Sequence, residues 1–471
     1  MNPRVRLDPI FAGHNGRMLK PVEEYIGGLG LDAYLVGGAV RDELLGLDSK
    51  DADFLVPGVD IAALRERLAP HGRTEELVVA GRPVGVRFYP RERGIRRLAP
   101  GGIELAPPRR EISTGPGRHD FAIVVDPGAD VVDDLARRDF TVNAMARRLE
   151  DGALVDPFGG RADLERRRLR TVSPGSFAED PLRIVRGLRF VSQLGFDPDE
   201  ETLRQMRQQA ESVRLVSAER IGGGLAADGM GELSKLLLGA EPRRALRLAR
   251  DTGVLVALMP EFAPAIGFDS RSTDHSLPLE EHIFAVVQAA ADAGMPLRLR
   301  LATLLHDLGK PGGAGDHAAA GADIADQVLA RLRYPTDLRT RVVRIVRFHP
   351  FRLGSGDAVE ARRLLAEHGE GLVLDLLDHW EADLRGRDET PQVRAKLEEV
   401  ARFRAVVEAE RSSPHRLSDL AVDGTDLIEL GYHPGPALGR ALDELLDAVV
   451  GDPALNRRNT LLDRARELLA G

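Results

Sequence analysis

Two aspartates near the start of the chain, Asp51 and Asp53, are spaced for metal chemistry. They lie in KDADF, which has the pattern of a strand. Side chains two residues apart in a strand point to the same face, so the two carboxylates would lie side by side. Adjacent carboxylates repel each other unless a cation lies between them, and a hard divalent cation such as Mg²⁺ prefers oxygen ligands. The stretch therefore predicts a metal site, with a chance acidic loop as the alternative.

A glycine pair before these aspartates adds a second feature. Gly37 and Gly38 stand between the apolar run Tyr34–Val36 and a helical segment that ends at Leu47. Glycines at a helix N-terminus leave backbone N–H groups open to a phosphate. An ordinary tight turn is the alternative. Strand, glycine turn, helix and second strand together predict a phosphate cradle beside a metal pair.

Full two-metal phosphoryl chemistry needs a third carboxylate, and Glu104, on the short strand-like run Ile103–Ala106, is the best candidate. An exposed strand glutamate without a role is the alternative. Downstream, LARRDFTVNA offers cationic and polar side chains ahead of an apolar helix face. Arginines bind triphosphate oxygens through charge-assisted hydrogen bonds, an asparagine can hydrogen-bond a ribose, and an aspartate can cap the helix. The residues concerned are Arg137, Arg138, Asp139 and Asn143.

The segment EDPLR, residues 179–183, carries a candidate for base selection. Proline favours the first position of a helix, so Pro181 predicts Asp180 as the N-cap and Arg183 as its neighbour on one helical face. An aspartate accepts from an exocyclic amine, and an arginine donates to the ring atom beside it. Cytosine and adenine carry that amine, whereas uracil and guanine carry a carbonyl. The pair would admit CTP and ATP; a plain cap with an ion pair is the alternative.

Seven of the twelve histidines lie between residues 275 and 379. Imidazoles with interspersed carboxylates favour a transition metal such as Ni²⁺, Mn²⁺ or Fe over Mg²⁺. In the order H…HD…D, this set resembles the HD phosphohydrolase superfamily. That resemblance implies the metal ligands His282, His306, Asp307 and Asp383, with His317 and His349 as further candidates. His275, His368 and His379 are expected to be structural.

The secondary-structure pattern changes near residue 160. Before it, strand-like runs alternate with helical segments; beyond it, helical periodicity dominates. This pattern predicts an α+β front, with a mixed sheet and helices, followed by an all-α remainder. The glycine-rich stretch GGGLAADGMGE, residues 222–232, follows no strand, so we expect a loop between helices there and no dinucleotide site.

Composition excludes several kinds of site. A chain of 471 residues is too long for one core, so about three or four domains are expected. It has no cysteine, which excludes disulfides, thiolate zinc sites and cysteine nucleophiles. No apolar run reaches the length of a membrane span or a signal segment, so a cytoplasmic protein with no membrane partner is expected. The net charge of −9 argues against a general nucleic-acid coat, and the 4% aromatic content disfavours an RNA-stacking sheet.

An ordered set of motifs resembles the class II tRNA nucleotidyltransferases, the CCA-adding enzymes. GGAVRD, KDADF, RRDFTVNA, DPFGGRADL, EDPLRIVRGLRF and SAERI occur in that family's order over residues 34–240. HDLGKP and EADLRGR behind them make the chain similar to the proteobacterial type, which carries an HD domain. The resemblance implies a polymerase-β-like nucleotidyltransferase head at 1–147, a helical neck at 148–240, a helical body at 241–392 with the HD domain at 271–390, and a helical tail at 393–471.

The resemblance also implies roles and a reaction. Asp51 and Asp53 would hold the catalytic Mg²⁺, and the nucleotide would contact Gly37, Gly38, Arg41, Arg137, Arg138, Asp139, Asn143, Glu179, Asp180, Arg183 and Arg186. The reaction would add C, C and A to the 3′ end of tRNA from CTP and ATP, with no DNA involved. The HD domain would act as a phosphatase and cyclic phosphodiesterase on RNA ends.

Two other interpretations stay open on the sequence. Poly(A) polymerases share nearly all these motifs, and enzymes that add only A or only CC would use the same reaction. The second interpretation is a protein of another class, an HD metal phosphohydrolase whose front domain only binds a nucleotide. The intact GGAVRD and KDADF motifs argue against the latter, because a non-catalytic head should lose these acidic residues first.

Overall fold

The computed structural model describes residues 19–48, 52–79, 81–113, 121–126, 128–223, 230–269, 277–313 and 316–470. The chain forms two compact units. The first comprises Met1–Val216 and Asp251–Leu258, and the second comprises Ser217–Arg250 and Met259–Gly471. The boundary at residue 216 falls inside the stretch for which a neck is expected.

The strands of the described residues all lie in the first unit. They are β1 Tyr34–Val36, β2 Asp53–Leu55, β3 Gly72–Val79, β4 Arg82–Pro90, β5 Ile103–Ala106, β6 Arg109–Ser113, β7 Phe121–Val125, β8 Ala146–Arg148, β9 Leu154–Val155, β10 Arg168–Leu169 and β11 Asp197–Pro198. Seven of them form one sheet in the order β3-β4-β5-β2-β1-β8-β9. Only β2 and β5 pair in parallel within this sheet, and the remaining neighbours are antiparallel. The predicted mixed sheet is confirmed.

The helices of the first unit connect and cover these strands. They are α1 Lys20–Gly27, α2 Gly38–Leu45, α3 Ile61–Leu68, α4 Arg93–Leu98, α5 Val131–Ala136, α6 Gly160–Glu165, α7 Ser176–Glu179, α8 Leu182–Leu194 and α9 Glu200–Gln209. Capping explains where several of them begin. Asp130 and Asp133 form a reciprocal capping box at the start of α5, with each carboxylate accepting from the other residue's backbone N–H. This box fixes the helix that carries Asp134 and precedes Arg137.

Over the described part of the second unit, the chain is helical. The helices are α10 Ala218–Ile221, α11 Glu232–Leu237, α12 Pro242–Asp251, α13 Val254–Leu258, α14 Leu279–Asp292, α15 Leu297–Leu305, α16 His317–Arg331, α17 Thr336–Phe348, α18 Ala358–His368, α19 Glu370–Arg385, α20 Pro391–Glu410, α21 Gly424–Glu429, α22 Pro436–Gly451 and α23 Arg458–Ala470. Of these, α13 and the last residue of α12 belong to the first unit. None of the helices that the structure describes is both long and apolar enough to cross a membrane.

The glycines after Ile221 are required by close packing. A Cβ at Gly222 would lie 2.5 Å from the carbonyl oxygen of Leu332, and one at Gly223 would overlap the carbonyl oxygen of Arg333. The segment is the predicted loop between helices, although residues 224–229 lie outside the described ones. The glycines thus permit backbone contact with residues 332–333.

Candidate functional sites

The parallel pairing of β2 with β5 brings two predicted carboxylates together. Asp53 is the first residue of β2, and its register partner on β5 is Glu104. Register partners on neighbouring strands point to the same face of a sheet. Asp53 is exposed, whereas Phe54 and Leu55 behind it are buried and anchor the strand. Asp51 lies outside the described residues.

Arg87 holds the carboxylate of Glu104. It lies opposite Glu104 on the antiparallel neighbour β4, and its Nη2 donates to Glu104 Oε1 over 2.5 Å. This hydrogen bond raises the pKa of Arg87 above its usual value, against the opposing effect of burial. Both side chains are partly exposed, at 39% and 42%. A metal would therefore have to compete with a guanidinium for this carboxylate.

The predicted phosphate cradle is a glycine turn that the guanidinium of Arg138 approaches. Gly37 has a φ of 71°, which favours glycine, and α2 starts at Gly38. A Cβ at position 37 would overlap Nη1 of Arg138. The absence of a side chain at Gly37 thus lets the Arg138 guanidinium approach the N-terminus of α2.

Arg137 and Arg138 are both oriented by one buried carboxylate, Asp134. Arg137 donates to Asp134 Oδ1 from Nε and Nη2 over 3.0 and 2.8 Å, and Arg138 Nη2 donates to Oδ2 over 3.1 Å. Burial raises the pKa of Asp134, but the arginine charges outweigh it and hold the pKa below its ordinary value. The carboxylate stays ionised with 0% exposure. Sequence reasoning missed Asp134, although its spacing of three and four from the arginines on a helix was a usable signal.

A hydrogen-bonded chain joins four of the predicted nucleotide-binding residues. Arg41 Nη1 donates to Asn143 Oδ1 over 2.6 Å, and Asn143 Nδ2 donates to Asp139 Oδ1 over 2.9 Å. Arg186 Nε donates to the other oxygen of Asp139 over 2.7 Å. Burial raises the pKa of Asp139, but the Arg186 charge and these hydrogen bonds lower it to about 2. The side-chain amide of Asn143 accepts one hydrogen bond and donates another, so a ribose would have to replace one of these bonds.

The predicted base-selecting segment differs in detail from the expectation. Helix α8 begins at Leu182 with Pro181 at the N-cap, one residue later than predicted, and Asp180 is extended. Its carboxylate accepts from the N–H of Leu182 over 3.1 Å. An N-cap side chain normally accepts from the second or third residue after it, and Pro181 already has helical backbone angles. Asp180 therefore caps the start of α8, with Pro181 in the first turn.

Arg183 is a buried junction within the first unit. Its Nη1 donates to Glu179 Oε2 over 2.8 Å and to the carbonyl oxygen of Ser176 over 3.2 Å, and its Nη2 donates to the carbonyl oxygen of Arg137 over 2.6 Å. Only 8% of the residue is exposed. One guanidinium thus connects the predicted base-selecting segment to the predicted triphosphate clamp.

The second unit gathers the predicted HD residues into one buried cluster, which we call the histidine cluster. Five helices contribute to it: α14, the end of α15, the start of α16, the end of α17, and α19. His306 is the C-cap of α15, so His306 and Asp307 lie just beyond the end of that helix. The cluster consists of His282, His306, Asp307, His317, His349, His379 and Asp383.

Two groups of donor atoms lie within this cluster. His282, His306 and Asp383 form one, and Asp307, His317 and His349 form the other; the donor atoms of each group lie within 4.8 Å of one another. Asp307 connects the groups, because its Oδ2 lies 3.1 Å from His306 Nε2 and its Oδ1 lies 3.5 Å from His349 Nε2.

The tautomers of two histidines favour metal binding. Nδ1 of His306 donates to the carbonyl oxygen of Thr303 over 2.9 Å, and Nδ1 of His349 donates to that of Val346 over 2.6 Å. In the neutral rings Nε2 then carries the lone pair, and both Nε2 atoms face the carboxylate of Asp307. Nε2 of His306 is buried without a hydrogen-bond partner. These features fit a bound cation.

The carboxylates of the cluster are held in their charged form. Burial raises the pKa of Asp307, but the charge of a protonated His306 and hydrogen bonds from His306 and His349 hold it well below its ordinary value. Burial likewise raises the pKa of Asp383, but a hydrogen bond from His282 outweighs burial, so this pKa also lies below its ordinary value. The side chains of His282 and Asp307 are at most 2% exposed, whereas His317 is 35% exposed and marks the open side. The cluster is therefore a buried site with two ionised carboxylates and one accessible edge.

The structure adds two residues that sequence reasoning missed. His379, expected to be structural, lies in the cluster with its ring 5.1 Å from that of His306. Its spacing of four from Asp383 on α19 puts both on one helical face, which was a usable signal. Lys310 Nζ lies 2.5 Å from Asp307 Oδ2, three residues further along the chain. His275 lies outside the described residues.

Three segments of the chain match known protein families. Residues 33–170 match the poly A polymerase head domain family, and residues 195–266 match the family described as the probable RNA and SrmB-binding site of polymerase A. Residues 279–383 match the HD domain. Nucleotidyltransferase and HD domains generally use divalent metals.

Two curated relatives cover most of the chain. The multifunctional CCA protein of Ralstonia nicotianae is 36% identical over 381 residues, which is 76% of this chain and 82% of that protein. The protein of the same name from Leptothrix cholodnii is 36% identical over 453 residues, or 90% of this chain and 97% of that one. This chain belongs to the multifunctional CCA protein family. Its membership confirms the predicted enzyme class, a CCA-adding tRNA nucleotidyltransferase.

Solved structures support the fold. The Bacillus stearothermophilus CCA-adding enzyme in complex with CTP superposes with a TM-score of 0.67 at 24% identity, covering 96% of this chain and 98% of that one. The Thermotoga maritima CCA-adding enzyme complexed with tRNA gives a TM-score of 0.57 at 19% identity, covering 97% and 96%. The predicted architecture, a polymerase-β-like head with a helical, HD-containing remainder, is confirmed.

Proposed function

We propose that this multifunctional CCA family member adds C, C and A to the 3′ end of tRNA from CTP and ATP without a nucleic-acid template, releasing pyrophosphate. The observation that carries the proposal is the pairing of Asp53 with Glu104 in a sheet whose neighbouring turn, at Gly37, holds the Arg138 guanidinium. Carboxylates for a cation and arginines for a triphosphate then lie in one unit. A cytoplasmic location is part of the proposal.

In this mechanism, Asp51 and Asp53 would hold Mg²⁺, with Asp53 at the start of β2. Glu104 would be the third carboxylate, in competition with its hydrogen bond from Arg87. When bound, Mg²⁺ lowers the pKa of the tRNA 3′ hydroxyl and neutralises triphosphate charge. Arg137 and Arg138, preset by Asp134, bind the triphosphate oxygens. The oxygen of the tRNA 3′ hydroxyl then attacks the α-phosphate of the nucleotide, and pyrophosphate leaves as the new phosphodiester bond forms.

Base choice is assigned to the segment around α8. Asp180 accepts from the exocyclic amine of cytosine or adenine, and Arg183, held by Glu179, donates to the ring atom beside it. Arg41, Asp139, Asn143 and Arg186 set the position of the nucleotide through their hydrogen-bonded chain. Residues 1–147 are the catalytic head, 148–240 the neck, 241–392 the body and 393–471 the tail in this proposal.

The test uses tRNAs that end before the first C, the second C or the A, each incubated with a single labelled nucleotide, and the products are sized. We expect one C, one further C and one A in turn. A long A-tract would instead identify a poly(A) polymerase. Asp53→Asn should abolish incorporation, whereas Glu165→Gln, a matched carboxylate change in an exposed i,i+4 ion pair, should leave it unchanged. Normal incorporation by Asp53→Asn would refute the metal role.

For the second unit we propose a phosphohydrolase acting on RNA ends with Ni²⁺, Mn²⁺ or Fe at the histidine cluster. The two donor groups joined by Asp307 support two ions, with the accessible edge at His317 as the entry for substrate. Lys310 would contact a phosphate oxygen beside Asp307. The test is hydrolysis of a 2′,3′-cyclic nucleotide with each metal. His306→Ala should abolish hydrolysis and keep CCA addition; hydrolysis by His306→Ala at the normal rate would refute it.

A further inference from the structure

His379 occupies a position between the two donor groups of the histidine cluster. Its ring lies 5.1 Å from that of His306, in the first group, and 5.7 Å from that of His349, in the second. The residue is 1% exposed, and its Nε2 is buried without a hydrogen-bond partner. It lies one helical turn before Asp383 on α19.

Nε2 of His379 has no hydrogen-bond partner among the residues that the structure describes. Leaving a buried polar atom without a hydrogen-bond partner is unfavourable. The side chains around it are themselves metal donors, so a cation is the partner that would satisfy it. His415, in the same unit, also has a buried Nε2 without a hydrogen-bond partner, but it lies after α20 and outside the histidine cluster. Within the cluster, Nε2 of His306 is likewise buried and unpartnered, so the nitrogen of His379 lies beside a candidate metal donor in the same condition.

We propose that His379 is a further nitrogen ligand of the metal centre in the second unit and that it increases the preference of this centre for transition ions over Mg²⁺. The inference rests on the proposed histidine-cluster site. With it, the cluster holds five imidazoles and two carboxylates. Each added imidazole favours Ni²⁺ or Co²⁺, whereas Mg²⁺ gains little because it prefers oxygen ligands.

The experiment measures metal binding directly. The full-length chain is stripped with a chelator and titrated with Ni²⁺, Co²⁺ and Mg²⁺ by calorimetry, and the visible absorption of bound Co²⁺ is recorded. The variants are His379→Ala, His379→Gln and His306→Ala, with His415→Ala as the matched control. Fluorescence of Trp380, the single tryptophan and the next residue after His379, reports both folding and quenching by Ni²⁺.

We expect His379→Ala and His379→Gln to weaken Ni²⁺ and Co²⁺ binding by about tenfold or more and to shift the Co²⁺ absorption. Mg²⁺ binding should stay the same, and His415→Ala should match the wild type. Unchanged Ni²⁺ affinity and an unchanged Co²⁺ spectrum in a folded His379→Gln variant would overturn the inference. If the wild type bound no Ni²⁺ or Co²⁺, the histidine-cluster site itself would fail; if only His306→Ala lost binding, that site would stand without His379.

Discussion

Replacing Asp139 with asparagine tests how strongly the first unit depends on a buried charge. The substitution keeps the shape of the side chain but removes the negative charge that faces Arg186. The pKa of Asp139 is about 2, against an ordinary value of 3.8. At about 1.4 kcal/mol for each pKa unit, this difference corresponds to about 2 kcal/mol of folding free energy at neutral pH.

The sign follows from the direction of the pKa. A carboxylate whose pKa is lower in the folded state stabilises the fold above its unfolded pKa, and this contribution is lost as the pH falls from about 4 to about 2. At pH 5 and pH 7 the carboxylate is ionised in both states, so the Asp139→Asn penalty should be about 2 kcal/mol at each. Below pH 4 the stability of the variant should fall less steeply than that of the wild type.

The assay is urea unfolding followed by circular dichroism, with Trp380 fluorescence recorded in parallel to follow the second unit. Glu165→Gln is the control, since its exposed ion pair with Arg161 should contribute no more than about 1 kcal/mol. A loss below about 0.5 kcal/mol for Asp139→Asn would refute the reasoning, because the charge would then be compensated by solvent. An equal loss in the control would show that the effect is not specific to burial.

Three further substitutions have defined outcomes. Gly37→Ala should raise the KM for CTP and ATP several-fold, because the added Cβ would displace the Arg138 guanidinium. Gly58 has a φ of 72° and open space around it, so Gly58→Ala controls for backbone strain alone. Equal kinetics in the two variants would contradict the role of Arg138 displacement. Arg87→Ala should lower the Mg²⁺ concentration needed for half-maximal incorporation, because it frees the carboxylate of Glu104; an unchanged Mg²⁺ titration would remove Glu104 from the metal site. Arg387→Ala should weaken Ni²⁺ binding by about tenfold, because Arg387 fixes Asp383 through Oδ2 and so keeps Oδ1 beside His282 Nε2, 3.0 Å away in the donor group. Arg385→Ala, which loses only a partly exposed pair with Glu381, is its control in the same calorimetric titration.

Local patterns predicted the elements better than the contacts between them. The run Ile103–Ala106 is a strand, and the segment from Tyr34 onward forms strand, glycine turn and helix, as periodicity and glycine placement indicate. The pairing of Asp53 with Glu104 depends on which strands become neighbours in the sheet. Arg87 lies on a third strand, 17 residues from Glu104, so its ion pair depends on the same long-range pairing.

The candidate sites show the same limit. Pro181 correctly signalled a helix start, and Asp180 accepts from Leu182 two residues on, as a capping aspartate does, but the burial of Arg183 against the backbone of Arg137 had no local signal. On the sequence alone, His379 is expected to be structural. Its neighbours in the cluster come from separate helices, and only the fold brings them within ring contact.

Arg183 has a consequence for redesigning nucleotide specificity. Its guanidinium simultaneously holds Glu179, Ser176 and the backbone of Arg137. A substitution meant to accept a different base would also loosen the backbone that presents Arg137 to the triphosphate. Libraries that vary Arg183 alone should therefore yield mostly inactive enzymes. Active variants with a new base preference should arise where Ser176 and Glu179 are varied together with it, so that a replacement side chain can again be anchored to the carbonyl oxygen of Arg137.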